Sequence, residues 1–152
     1  MGRRLALLVG LGMFVQSLGL AQSAAADAGQ YVRTESGRVR CWVAIDQVGC
    51  EASGSGSLGF PQAPIGLPES QCKYAPCPGG VHWDIASVNA SGNFQWQDGN
   101  IGVGSGNDLV LTYGQPYHLF GWTVLSNFDG TRIANDATGH GMFVSVENVY
   151  AF

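Results

Sequence analysis

Two stretches of the chain, residues 38–50 and 81–149, alternate apolar and polar positions with a period of two. In the first, Val39, Cys41 and Val43 alternate with polar or aromatic residues, and a return run passes through Val48 and Cys50. After Gly80 no window of helical period exceeds one turn. This pattern is typical of half-buried β-strands and predicts an all-β chain.

A disulfide between Cys41 and Cys50 fixes the register of the first predicted hairpin. Because neighbouring strand residues point to opposite faces, a register defined at one pair defines all the others. The loop falls on 44–47, a usual hairpin length, and the disulfide is expected in or near the core. The predicted opposite pairs are Cys41 with Cys50, Trp42 with Gly49, and Val43 with Val48.

A second hairpin is predicted from Val81 to Gln97, around the turn 89–92. Pairing Val88 with Asn93 places Phe94 opposite Ser87 and Trp96 opposite Ile85. Aromatic and aliphatic pairs of this kind stabilise a sheet by roughly 0.2 to 1 kcal/mol each.

Further strands and frequent turns complete the predicted fold. Glycine contributes 23 of 152 residues, which suits tight turns. The expected architecture is a small antiparallel sandwich or barrel. The remaining predicted strands are Leu109–Tyr113, Tyr117–Leu125, Thr131–Ala134 and Met142–Val149.

Residues 52–80 predict a long irregular crossing rich in Gly, Ser and Pro. Five of the six prolines lie in this segment. A structureless loop of this length in a compact domain is normally functional or fixed to the body. Phe60 is expected to enter the core.

The N-terminus predicts a cleaved signal peptide, residues 1–26. Arg3 and Arg4 precede an apolar run over 5–20, and small residues at 24 and 26 indicate cleavage before Asp27. The run is too short and too interrupted for a membrane anchor. We therefore expect a single exported domain, 27–152, secreted or associated with the cell envelope, without a membrane span after processing.

The cysteines of the mature part predict structural disulfides, since an even count in an exported chain is typical of them. Four cysteines allow three pairings, and sequence proximity favours Cys41 with Cys50 and Cys72 with Cys77. Their spacing does not match the close pairs of a zinc site.

The mature domain is acidic, with five basic against eleven acidic residues and a formal charge of −6. So few cations argue against nucleic acid as a partner. Arg38 and Arg40 fall on one strand face, which is expected to be solvated.

The segment 127–141 has the densest set of polar groups and is the predicted binding loop. An arginine there can bind a carboxylate, a histidine can act as acid or base, and two aspartates can bind a cation. The alternative is that these residues satisfy turn backbone. The candidate residues are Asp129, Arg132, Asn135, Asp136, Thr138 and His140.

A small hydrolase is the catalytic alternative, using His140 with Asp129 or Asp136, or His82 with Asp84. No Gly-x-Ser-x-Gly elbow is present, and the disulfides leave no thiol nucleophile. Nothing in the spacing indicates that His82, His118 and His140 converge on a metal. The sequence predicts neither a metal site nor a cofactor.

Four tryptophans are candidates for a sugar-stacking platform. Trp83, Trp96 and Trp122 are expected in the core, each on a face with other apolar residues. Trp42 points away from the disulfide face and is the one expected at the surface.

Three sets of residues carry a resemblance to a known group: 36–41 with Cys50, 113–117 with 121–123, and 129–132 with 138–144. In these stretches the chain resembles small exported proteins of mycobacteria and related actinobacteria. The resemblance implies export and an envelope setting, and it implies no catalytic residue. Arg38 stands where that group usually has asparagine.

The sequence therefore favours a non-catalytic binding or structural domain with a partner in the envelope or outside the cell. A hydrolase is the first alternative. An inhibitor or host-directed effector that uses the 52–80 crossing as its contact surface is the second.

Overall fold

The computed structural model describes residues 29–54, 57–72, 77–102 and 106–152. The predicted signal peptide lies outside these residues. Within them no helix is long and apolar enough to cross a membrane; the one helical element is a short 3-10 helix, Glu69–Gln71. The strands are β1 (Gly29–Thr34), β2 (Val39–Ala44), β3 (Gln47–Ala52), β4 (Ile65–Leu67), β5 (Val81–His82), β6 (Ile85–Asn89), β7 (Phe94–Gln97), β8 (Leu109–Leu111), β9 (Pro116–Leu119), β10 (Trp122–Asn127), β11 (Gly130–Asn135), β12 (Gly141–Val144) and β13 (Val149–Ala151).

The strands form two main sheets that share one core. The six-stranded sheet has the order β7-β6-β3-β2-β1-β8, and the five-stranded sheet has the order β13-β12-β11-β10-β9. A small ribbon pairs β4 with β5. The sheets do not close, so the fold is an all-β sandwich and the barrel alternative is excluded. The β1–β8 pair is parallel, whereas every other described pair is antiparallel.

Alternating side chains of both sheets fill the space between them. Cys41 and Cys50, which form the predicted disulfide, are buried with Val43 and Val48. Trp122 is fully buried, and its indole N–H donates to the Ala44 carbonyl of the facing sheet at 2.9 Å. This bond satisfies the one polar group of a large apolar side chain and links the two layers.

The β2–β3 hairpin has the predicted register. Cys41 pairs with Cys50, Trp42 with Gly49, and Val43 with Val48. The strands extend further than expected, so the turn contains only Ile45 and Asp46.

The predicted register of the β6–β7 hairpin is wrong by one residue. Val88 pairs with Phe94 instead of Asn93, and Ala86 pairs with Trp96. The Asn89 side chain accepts hydrogen bonds from the backbone N–H groups of Ser91 and Asn93, and Gly92 takes a positive φ of 85°. These bonds select a three-residue turn. Because the observed register differs from the predicted one by one residue, the side chains of β7 lie on the opposite face relative to β6 from that predicted.

The predicted strand 117–125 is two strands, because β9 and β10 turn at Phe120 and Gly121. Both residues have positive φ, 52° and 82°, which is the geometry of a two-residue hairpin turn that normally contains Asn-Gly. Phenylalanine gives no such signal in the sequence. The predicted strand 142–149 is likewise divided, with a turn at 145–148 whose backbone N–H groups bond to the Ser145 hydroxyl.

The 52–80 crossing is fixed to the sandwich. Phe60 is fully buried, as predicted, and its N–H donates to the Trp83 carbonyl at 3.1 Å. Cys72 and Cys77 form the second predicted disulfide. The crossing also contains β4, so it is less irregular than expected.

Replacing Phe120 by Asn is expected to stabilise the protein by about 1 kcal/mol, because a bulky side chain in the left-handed region costs about 1–2 kcal/mol. Urea unfolding measures the difference. Phe128, exposed at the two-residue β10–β11 turn without positive φ, provides the control. An equal gain from Phe128→Asn, or no gain from Phe120→Asn, would contradict this explanation.

Candidate functional site

The structure divides the predicted binding loop 127–141 between the two ends of one strand. Asp129 lies in the β10–β11 turn, whereas Asp136, Thr138 and His140 lie beyond the other end of β11. A six-residue strand separates its terminal Cα atoms by about 17 Å. The six candidate residues therefore do not form one site.

At the distal end, the candidate side chains mostly hold the backbone. The buried Asn135 side chain accepts from the N–H groups of Ala137 and Thr138 at 3.1 Å each. The Thr138 hydroxyl donates to the Ala90 carbonyl at 2.7 Å and ties the loop to the facing sheet. Arg132 stacks on the Phe152 ring at 3.6 Å on the outer sheet surface. At this end of the segment, Asn135 and Thr138 therefore satisfy backbone groups of the turn, which was the structural alternative to a binding loop.

The structure does not assemble the predicted hydrolase pairs. Across the described ranges no histidine nitrogen lies within 4.0 Å of an Asp or Glu carboxylate oxygen. His82 contacts the Ala63 carbonyl at 2.6 Å, and His140 contacts the Phe152 carbonyl at 3.4 Å. No group of three or more His, Cys, Asp or Glu side chains in the same residues is arranged to hold a metal.

His118 and Asp136 do share a partner on the outer surface. The Thr123 hydroxyl donates to Asp136 Oδ1 at 2.5 Å and lies 3.0 Å from His118 Nδ1. All three lie on adjacent antiparallel strands or their ends. Because the hydroxyl stands between base and carboxylate, this order does not match a nucleophile–base–acid triad.

A groove on the outer face of the six-stranded sheet has the features of a binding site. Its base is Gly49, which pairs across the sheet with Trp42 on one side and Ser87 on the other. Because glycine has no side chain, it leaves a gap between these neighbours, with a volume of about 220 Å³. The lining residues are Trp42, Gln47, Gly49, Ile85, Ser87, Gln97, Asn100 and Ile101.

The groove combines an indole ring with neutral polar groups and has no charged side chain in its lining. Gln97 donates to the Ser87 hydroxyl at 3.3 Å, and Asn100 accepts from the Gly102 N–H at 3.0 Å. The Gln47 amide bonds to no other described residue. Amides supply both donors and acceptors to a ligand.

One wall of the groove comes from residues 98–102, the wall segment, which lies over the sheet. Glu51 accepts the Ile101 N–H at 3.0 Å, and Tyr31 donates to the Ile101 carbonyl at 2.8 Å. Asp84 accepts the Gly99 N–H at 3.2 Å. Glu51 and Tyr31 are strand side chains on the outer face, and Asp84 lies between β5 and β6.

Arg40 holds this arrangement together and corrects the expectation of a solvated face. Its guanidinium donates twice to Asp108, at 2.6 and 3.2 Å, and also to Glu51 and the Gly102 carbonyl. It stacks on the Tyr31 ring at 4.2 Å. The residue is only 8% exposed, whereas Arg38 is exposed as expected. Strand alternation correctly placed Arg40 on the outer face but did not indicate that this face is covered.

The pKa values of Asp108 and Asp84 are shifted in opposite directions. Hydrogen bonds from Arg40 lower the pKa of Asp108 below its ordinary value, and burial raises the pKa of Asp84. The hydrogen bond of Arg40 to Asp108 raises the pKa of the guanidinium. The ion pair is therefore charged at neutral pH.

Trp42 was the tryptophan that the sequence placed at the surface, and it is half-buried, with its ring 4.4 Å from that of Tyr31. The sequence did not identify Gln47, Gly49, Gln97 or Asn100 as site residues. The Trp42–Gly49 pairing in the predicted register was the available signal.

No protein family model matches the chain, and no curated protein or solved structure matches it. The function is therefore inferred from the geometry of the site.

The Arg40–Asp108 pair predicts a specific acid response. The pKa of Asp108 is lower in the folded state than its ordinary value of 3.8, so ionised Asp108 stabilises the fold at pH values above 3.8. This stabilisation is lost as the pH falls through the pKa that Asp108 has in the folded state. Asp108→Asn is expected to reduce stability at pH 7 and to flatten its decline toward acid pH, measured by urea unfolding.

Asp84→Asn is the matched control, because the pKa of Asp84 is raised in the folded state and its contribution to stability has the opposite sign. Charged Asp84 destabilises the fold at pH 7, and protonation removes this destabilisation. Its stability should rise at pH 7 and then decline more steeply toward acid pH. An acid response of Asp108→Asn identical to that of the unmodified protein would contradict the role of the pair.

Proposed function

We propose that the protein is an exported, non-catalytic binding domain that holds a neutral saccharide unit in the Trp42 groove. The observation that carries the proposal is the groove composition: an indole and three amide side chains around a glycine base, without a charged group. Sugar rings present apolar C–H faces that pack on aromatic rings, and their hydroxyls both donate and accept.

The size and openness of the groove suit one unit of a longer chain. Its volume of about 220 Å³ lies below the roughly 300–1,000 Å³ of pockets that enclose a drug-sized ligand. Gln47, Gln97 and Asn100 are exposed at its rim. A saccharide chain can therefore lie across the groove and place one ring against Trp42.

The rest of the molecule supports a binding domain outside the cytoplasm. Both disulfides are consistent with an oxidising extracellular environment. Residues 1–26 supply the export signal in this proposal. The partner is then a glycan of the envelope or the surroundings.

The direct test is calorimetric titration with neutral trisaccharides: maltotriose, cellotriose and mannotriose. We expect saturable binding of at least one of them, with a charged trigalacturonate bound more weakly. Absence of saturable binding by all three neutral probes, or preference for trigalacturonate, would overturn the proposal.

Gly49→Val is the most selective variant because it fills the groove base. A Cβ at this position meets Ile101 and Ile85 at 3.7 and 4.0 Å, which is ordinary contact, and the backbone has no positive φ. Since valine is also favoured in strands, we expect the variant to fold and to lose trisaccharide binding. Retained affinity in folded Gly49→Val protein would exclude the groove.

Gln47→Ala and Gln95→Ala form a matched pair of amide deletions. Gln47 lines the groove, whereas Gln95, exposed on the same face, does not. Loss of a ligand hydrogen bond worth about 1 kcal/mol weakens binding about fivefold. We expect that loss for Gln47→Ala and unchanged affinity for Gln95→Ala. Equal effects of the two substitutions would contradict the assignment.

A further inference from the structure

A second cleft lies at one end of the sandwich, away from the Trp42 groove. The β1–β2 turn, the β10–β11 turn and the segment after β12 meet there around a cavity of about 160 Å³. We call it the end cleft. The side chains that line it include Arg38, Tyr113, Asn127, Phe128 and Glu147.

The rim of the end cleft carries an aromatic pair, exposed Phe128 and half-buried Tyr113. Phe128, at the tip of the β10–β11 hairpin, is 94% exposed, and its ring centroid lies 4.7 Å from that of Tyr113. Val146 adds apolar surface beside them. Burial of such rings by a partner is favourable, because it removes apolar surface from water.

Three polar groups of the cleft are available to a ligand. Neither the Arg38 guanidinium nor the Asn127 side chain bonds to another described residue. The Tyr113 hydroxyl is likewise without a partner in the part of the chain that the structure describes. By contrast, the hydroxyls of Thr34 and Ser36 bond to each other at 3.1 Å.

The charged groups indicate the ligand chemistry. An exposed arginine presents a planar fork that matches a carboxylate. Glu147 accepts the Ser145 hydroxyl at 3.3 Å and has further acceptor capacity for an N–H group. In the described residues Arg38 and Glu147 form no ion pair with each other. The cleft thus offers complementary sites for a carboxylate, an N–H donor and an apolar group.

The cleft also continues beyond this point. A second depression, of about 520 Å³, shares Ser36, Arg38 and Val146 with the first. A ligand held at Arg38 therefore has a path along which a longer chain can extend. A small isolated anion would need no such path.

We propose that the end cleft binds the carboxyl terminus of an extended peptide that ends in an apolar residue. Arg38 receives the terminal carboxylate, Glu147 accepts a peptide N–H, and the last side chain packs on Phe128 and Tyr113. The peptide is carried by a protein partner, and this site is independent of the saccharide groove.

The test is an NMR titration of the protein with the peptide N-acetyl-Gly-Gly-Leu. Binding is measured from the chemical shifts of the Gly37 and Gly130 backbone amides. We expect saturable binding by the free acid and at least about tenfold weaker binding by its C-terminal amide, since charge-assisted bonds are lost. Replacing Leu by Gly in the probe should weaken binding as well.

Octanoate is the competing probe, because it joins a carboxylate to an apolar chain without a peptide group. Binding as tight as that of the peptide would assign the cleft to fatty carboxylates and overturn the proposal. Equal binding of the acid and amide peptides, or no saturable binding, would overturn it too.

Arg38→Gln is the decisive variant, and Arg132→Gln is its control. Both arginines are exposed, but Arg132 stacks on Phe152 outside the cleft. Arg38→Gln should reduce affinity for the acid peptide about tenfold and leave trisaccharide binding unchanged, whereas Arg132→Gln should change neither. Unchanged peptide affinity in folded Arg38→Gln protein would contradict the proposal.

Discussion

The arrangement of the outer face of the six-stranded sheet depends on the hydrogen bonds of the buried, charged Arg40 side chain. Removing a guanidinium from water is unfavourable unless its hydrogen bonds are replaced, and broken buried pairs are strongly destabilising. Asp108, Glu51 and the Gly102 carbonyl supply the replacements. Two of these partners lie on the chain that covers the sheet. The same contacts that satisfy Arg40 therefore hold one wall of the candidate groove in place.

This face and the sandwich core are held by different interactions. The core is apolar and includes the Cys41–Cys50 disulfide and Trp122, whose indole bond joins the layers. The outer face is polar, and its wall segment is fixed by side-chain hydrogen bonds. A substitution at Asp108 is consequently a way to perturb the groove while the core remains intact. The end cleft is built on strand ends and turns at one end of the sandwich.

Local sequence information predicted the structure where local interactions decide it. The β2–β3 register followed from one disulfide, and the burial of Phe60 and Trp122 followed from apolar patterning. The predicted β6–β7 register was wrong because Asn89 selects a turn that is one residue shorter than expected. Phe120 concealed a turn because its residue type disfavours positive φ. The whole groove was not predictable because strand pairing brings the segments 42–49, 85–87 and 97 together. In addition, tertiary contacts of Tyr31 and Arg40 hold the wall segment over them.

The central claim is that Trp42 and its amide neighbours bind a neutral sugar ring. Intermolecular nuclear Overhauser effects between the protein and the tightest-bound neutral trisaccharide test it most directly. We expect contacts from sugar C–H protons to the Trp42 indole and the Ile101 methyl groups. Contacts confined to other aromatic residues, such as Phe143 and Tyr150 on the five-stranded sheet, would contradict it.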